Sequence, residues 1–136
     1  MSITRGYFIF GDGKKVMDLD TFNSKSLRAL AKSDEMNPFQ LWDWNFKTKF
    51  ISSSLWTDEI LVIEKGFGVV NQEFKVVLRE MENYDHLKSW KLRADGTISN
   101  IDKNELIMGS LDGKSITLKN KTDFKYEQKI FFEEVI

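Results

Sequence analysis

The chain has 136 residues, of which 41% are hydrophobic and 30% charged, a size and composition expected of one globular domain, residues 1–136, with its own core. Its 20 Lys and Arg against 21 Asp and Glu leave a net charge of -1, which argues against a protein built to neutralise a phosphate backbone. The absence of cysteine excludes disulfide scaffolds, thiolate metal sites and cysteine nucleophiles, and it suits a cytoplasmic location.

The first apolar run, Tyr7 to Phe10, is too short for a secretion signal or a membrane span. It is followed by Asp12-Gly13 and then by Lys15 to Leu19. Asp-Gly favours the positive φ of a tight turn, so the two runs are expected to pair as a hairpin. Ser24 to Ser33 is the best helix candidate, with Ser24 as the cap and Leu27, Leu30 and Ala31 on one face.

Next comes WDWNFKTKF, Trp42 to Phe50, with Trp42, Trp44, Phe46 and Phe50 at alternate positions and Asp43, Asn45, Lys47 and Lys49 between them. A period of two predicts one strand with a buried aromatic face. Trp44 and Phe46, in the middle of the run, are then core residues. The lysines fall on the face opposite the rings, which disfavours a stacking platform for bases.

Glu59 to Glu64 and Phe74 to Met81 are short, β-branched apolar runs on either side of Gly66 and Gly68, and they predict two strands. From Thr57 to Asp85 the chain carries seven acids and three bases, so its acidic character is concentrated here. Asn83 to Trp90 is a second short helix or a connection. Asp95-Gly96 then joins Ser89–Ala94 to Thr97–Ile101, and Asp112-Gly113 joins Glu105–Leu111 to Lys114–Lys119, which predicts two more hairpins. The C-terminal Phe124 to Phe132 alternates well enough for a long strand, with Gln128 as a polar interruption of its apolar face. No repeat of solenoid or propeller period is apparent.

Chemistry-bearing residues are sparse. His86 is the sole histidine, which rules out two-histidine metal and ribonuclease mechanisms and leaves a turn residue as the better reading. Asp18/Asp20 and Glu80/Glu82 would each share a face of a strand and, in a cleft, could bind a cation or exchange protons; solvated strand ends are the plainer reading. The glycines at 66 and 68 do not have the spacing of a phosphate loop. No cofactor or metal is expected, and the chain is read as a non-enzyme.

The run Trp90 to Asn120, with an early Trp, a DGT turn and a later apolar strand, resembles the strand-turn pattern of small bacterial lipocalin-like domains over under a quarter of the chain. That resemblance implies a β-barrel holding a small apolar ligand.

These observations predict a mainly β fold (α+β at most): a single antiparallel, curled sheet or partial barrel built from hairpins, with one or two short helices. For function they favour a protein-binding module of the immunity or inhibitor type, holding a basic enzyme or toxin through Glu73, Glu82 and Asp85. A lipocalin-like carrier and a single-stranded nucleic-acid binder are the alternatives.

Overall fold

The computed structural model describes residues 2–21, 26–56, 58–65, 74–83 and 87–135. Among these the chain is mainly β, with 12 strands. They fall into three consecutive sets of four. The first lobe contains β1 (Ile3–Phe10), β2 (Lys15–Asp20), β3 (Ser26–Ala31) and β4 (Trp42–Asn45). The second contains β5 (Phe50–Ser53), β6 (Glu59–Lys65), β7 (Phe74–Glu80) and β8 (Trp90–Leu92). The third contains β9 (Ile98–Asn100), β10 (Leu106–Gly109), β11 (Thr117–Asn120) and β12 (Ile130–Glu134).

In every lobe the middle two strands form an antiparallel hairpin, β2–β3, β6–β7 and β10–β11. The outer strands make the wall of a barrel through β12–β1, β1–β4, β4–β5 and β8–β9. The ladder is not closed. β5 meets β8 through the Trp90 N–H on the Lys49 carbonyl at 2.8 Å, and β9 meets β12 at the Thr97↔Phe131 bridge.

The three Asp-Gly turns stand where the sequence puts them. Gly13, Gly96 and Gly113 have φ of 74, 89 and 72°, the left-handed region that an L side chain enters at a cost. In each turn the aspartate carboxylate accepts the backbone N–H two residues on, from Lys14, Thr97 and Lys114, which is how a short acceptor side chain stabilises a turn.

All three lobes feed one core. Phe8, Trp42, Trp44 and Leu27 of the first, Leu61, Leu78 and Trp90 of the second, and Met108, Ile116 and Ile130 of the third belong to a single buried cluster. Removing an aromatic ring of this kind from water contributes roughly 2–3 kcal/mol.

Two devices recur at the entry to the fourth strands. The Trp42 indole N–H donates to the Met17 carbonyl of β2 at 3.2 Å, and that of Trp90 to the Leu61 carbonyl of β6 at 3.0 Å. Two residues before the first of these, Gln40 takes the Ser33 N–H and donates to the Ala31 carbonyl. Gln128, two residues before Ile130, takes the Lys125 N–H and donates to the Leu111 carbonyl. Gln-Leu-Trp, Lys-Ser-Trp and Gln-Lys-Ile are thus one structural position repeated, although the hairpins between them differ in sequence.

Three expectations are corrected. There is no α-helix among the described residues: Ser26–Ala31 is strand β3, paired in register with β2 from Lys15↔Ala31 to Asp20↔Ser26. The ladder to β2 pairs one edge of a segment whose Leu, Arg and Ala residues favour helix, so tertiary pairing overrides propensity. Ser24 lies outside the described residues. Of the second candidate, Asn83 to Trp90, Asn83 closes the 3-10 turn Met81–Asn83, residues 84–86 lie outside the described residues and Trp90 opens strand β8.

The aromatic run is not one strand. β4 ends at Asn45, whose carboxamide oxygen accepts the N–H groups of Lys47 and Thr48, and Lys49 turns the chain with a φ of 69°. Trp42 and Trp44 are buried as expected, but Phe46 is 39% exposed. Asp43, expected to be wet, is buried beneath a two-bond pair with Arg5 at 2.7 and 3.0 Å, which raises the Arg5 pKa chiefly through the hydrogen bond. The C-terminal run breaks in the same way: Tyr126–Gln128 is a 3-10 turn and the strand begins at Ile130.

Candidate functional site

The hairpins offer a direct comparison because the tryptophan bonds fix their register. In β2 the residue after the Trp42 acceptor Met17 is Asp18; in β6 the residue after the Trp90 acceptor Leu61 is Val62. In β10 the core-facing residue is Met108 and the next is Gly109. Across each hairpin these residues face Arg28, Val77 and Thr117.

Only the first lobe therefore places charge at this position. The Arg28 guanidinium donates from Nε to Asp18 Oδ1 at 3.0 Å and from Nη1 to Asp20 Oδ2 at 3.2 Å. The expected same-face relation of Asp18 and Asp20 holds, and one arginine spans both. Asp18 is 2% exposed, so its carboxylate is held in one orientation, while Arg28 stays half-exposed. The three groups sum to one negative charge.

Around them is a pocket of about 340 Å³, walled by the apolar Leu30 and Phe39 and by Asn37. Leu30 and Phe39 are 40% and 38% exposed and stand together on the pocket wall. Asn37 is fixed by two bonds, its carboxamide oxygen taking the Phe39 N–H and its nitrogen donating to Ser33 Oγ. The pocket combines oriented acceptors with an adjacent apolar face.

The equivalent places in the other lobes are filled. Val62 and Val77 join Ile60 and Phe50 in a small apolar cluster. At Gly109 an added Cβ would stand 2.7 Å from the Gln128 carbonyl oxygen and from Phe124 Cζ, so the third lobe has no room for a side chain there.

Of the residues singled out in the sequence, Glu82 is exposed beside Glu80 and Asp58 in a shallow cleft. Among the described residues no group of three His, Cys, Asp or Glu could hold a metal ion. Glu73, Asp85, His86, Gly66 and Gly68 lie outside the described residues. The pocket's apolar wall, Leu30 and Phe39, was missed. Its one sequence signal was the polar-x-apolar triplet of Gln40, Lys88 and Gln128, which marks a lobe repeat and so the equivalence of Asp18, Val62 and Gly109.

No family model matches the chain, and no curated protein does. Solved structures do. A non-toxic homologue of type II RIPs from Momordica charantia (bitter gourd), in complex with α-methyl-D-galactoside, superposes with a TM-score of 0.74 at 16% identity over 96% of this chain and 48% of that one. The earthworm R-type lectin C-half, in complex with GalNAc, gives 0.71 at 15% identity over 97% and 99%. The Vibrio vulnificus hemolysin/cytolysin β-trefoil lectin, with N-acetyl-D-lactosamine bound, gives 0.70 at 9% identity over 100% and 99%. The chain spans about half the length of the bitter gourd protein and nearly the whole of the other two.

These neighbours overturn the functional expectations. An immunity or inhibitor module for a basic enzyme or toxin is contradicted, and with it the basic protein partner assigned to Glu73, Glu82 and Asp85, because two of these neighbours are named as lectins and all three hold sugars. The lipocalin-like carrier and the nucleic-acid binder fall with it; Phe8, Trp42, Trp44 and Trp90 pack together in the one core cluster, in place of a ligand cavity. The reading as a non-enzyme agrees with neighbours named as lectins. Twelve strands among the described residues, in three like lobes and matched over almost the full chain, give this protein the β-trefoil fold.

Proposed function

We propose that the chain is a carbohydrate-binding module that takes a galactose-type sugar in the pocket of its first lobe. The observation that carries this reading is the oriented Asp18–Arg28–Asp20 group beside the exposed Leu30 and Phe39. A hexose presents hydroxyls on its rim and a C–H surface on one face. Fixed carboxylate oxygens accept from adjacent hydroxyls, and an apolar wall covers the C–H face, which is the usual division of labour in a small-molecule pocket. The sugars named for the three neighbours all contain a galactose-configured ring, so that series is the first to test.

Calorimetric titration with methyl α-galactoside and N-acetylgalactosamine is the experiment. A hydrogen bond to a charged group contributes about 1.5–3 kcal/mol, so Asp18→Asn is expected to weaken binding by about 10- to 100-fold. Glu82→Gln, on the far cleft, is expected to leave it unchanged. Failure of every galactose-series sugar to bind the wild-type chain would sink the proposal.

A further inference from the structure

A second pocket, of about 390 Å³, opens between the β4–β5 turn and β8 and is lined by Trp44, Phe46, Lys49, Lys91, Leu92 and Ile101 among others. It shares no residue with the first-lobe pocket. We propose that it is a separate saccharide site for an acidic sugar, one bearing a carboxylate or sulfate.

Three observations lead there. Phe46 lies parallel on Trp44, with ring centroids 5.3 Å apart and planes at 9°, yet it is 39% exposed, and Leu92 and Ile101 beside it are 41% and 45% exposed. A ring held rigidly on a buried tryptophan but left open to solvent is a preformed surface for the C–H face of a sugar, because stacking on it costs no further ordering of the side chain.

The second observation is a donor without an acceptor. Trp42 and Trp90 each give their indole N–H to a backbone carbonyl, whereas the Trp44 indole nitrogen is buried with no hydrogen-bond partner. This donor belongs to a residue in the pocket's own wall.

The third is charge. Lys49 and Lys91 line the pocket, both are exposed, and neither forms an ion pair among the described residues. Arg93 adjoins Lys91 in the next cleft, which also holds Glu105. The rim is thus positive where the first-lobe pocket is negative, and the two sites sort sugars by charge. The turn at Asn45–Lys49 makes this possible, since in a continuous strand Lys49 would have faced away from the rings.

The test follows the indole N–H resonances of the four tryptophans during titration with methyl glucuronide, the methyl glycoside of sialic acid and glucose 6-sulfate, with methyl glucoside as the neutral control. The acidic sugars are expected to shift the Trp44 resonance, less so at high salt, and the control is not. A response to the carboxylates alone, or to the sulfate alone, supports the site and names its anion. Lys49→Ala with Lys91→Ala, both exposed and so expected to fold normally, should weaken binding at least tenfold; Phe46→Ala should do the same. Asp18→Asn should leave it intact.

An unmoved Trp44 resonance with all three acids overturns the proposal, as does an equal response to methyl glucoside or wild-type affinity in the lysine double variant. These outcomes are independent of galactoside binding in the first lobe. Either site can therefore fail while the other stands.

Discussion

The first and third lobes share a frame and differ in what they hang on it. Gln40 and Gln128 each accept one backbone N–H and donate to one carbonyl, at different places in their hairpins, and Trp42 and Ile130 enter the same core. One position beyond the core-facing residue of the hairpin, however, the first lobe has Asp18 under Arg28 and the third has Gly109 under Phe124. The frame must repeat because three lobes close one core. The outward hairpin position packs on side chains of its own lobe, Arg28 on Asp18, Val77 on Val62 and Phe124 over Gly109, so it is free to carry a polar group, an apolar one or none.

The largest expected effect tests the shared frame. Trp90→Ala is expected to cost about 3–5 kcal/mol in a urea titration, through the lost ring and an unpaired Leu61 carbonyl. Ile130→Ala in the third lobe should cost about 2–5 kcal/mol. A loss under 1 kcal/mol at either position would separate that lobe from the common core.

The next two changes probe where the lobes diverge. Gly109→Ala forces a Cβ against the Gln128 carbonyl at 2.7 Å and is expected to cost about 1–3 kcal/mol as overpacking. Val62→Ala, in the second lobe, removes two fully buried methyl groups and should cost about 1–3 kcal/mol, with sugar binding in the first lobe unaffected. The two glutamine clamps then give a finer comparison. Gln40 is fully buried and Gln128 is half-buried, so Gln40→Ala should lower the melting temperature more than Gln128→Ala, because water replaces lost partners only where it can reach.

The smallest effect concerns the turns. Asp95 is held well below the usual carboxylate range by hydrogen bonds from the Thr97 hydroxyl and N–H and by Lys121, and Asp112 is lowered mainly by the Ser115 and Lys114 N–H groups. A depressed carboxylate stabilises the fold above its unfolded pKa of about 3.9, and that contribution is lost as pH falls through the folded value. The melting-temperature difference between wild type and Asp95→Ala should be constant at neutral pH and shrink below about pH 4. A difference that grows on acidification would contradict the assigned bonds.

Much of the strand architecture was legible in local patterns. Asp-Gly turns need positive φ, so Gly13, Gly96 and Gly113 announced the β1–β2, β8–β9 and β10–β11 hairpins, and the apolar runs of β6 and β7 announced their strands because β-branched residues pack on a pleated surface. The paired acids Asp18 and Asp20 were also visible as neighbours on one face, since a strand repeats every two residues. What they do was not visible, because Arg28 and the apolar wall of Leu30 and Phe39 reach them from other segments.

Tertiary structure decided the rest. Ser26–Ala31 became a strand because six residues of β2 stood ready to pair with it, an energy that no local propensity contains. The aromatic run bent at Asn45 because its carboxamide capped a turn, which buried Trp44, exposed Phe46 and brought Lys49 round to the rings. The threefold frame itself rests on Gln-Leu-Trp, Lys-Ser-Trp and Gln-Lys-Ile occupying one position. Only two of those triplets share glutamine and only two share tryptophan, so their equivalence is a matter of which carbonyls and which core they reach, and that is settled by packing across the chain.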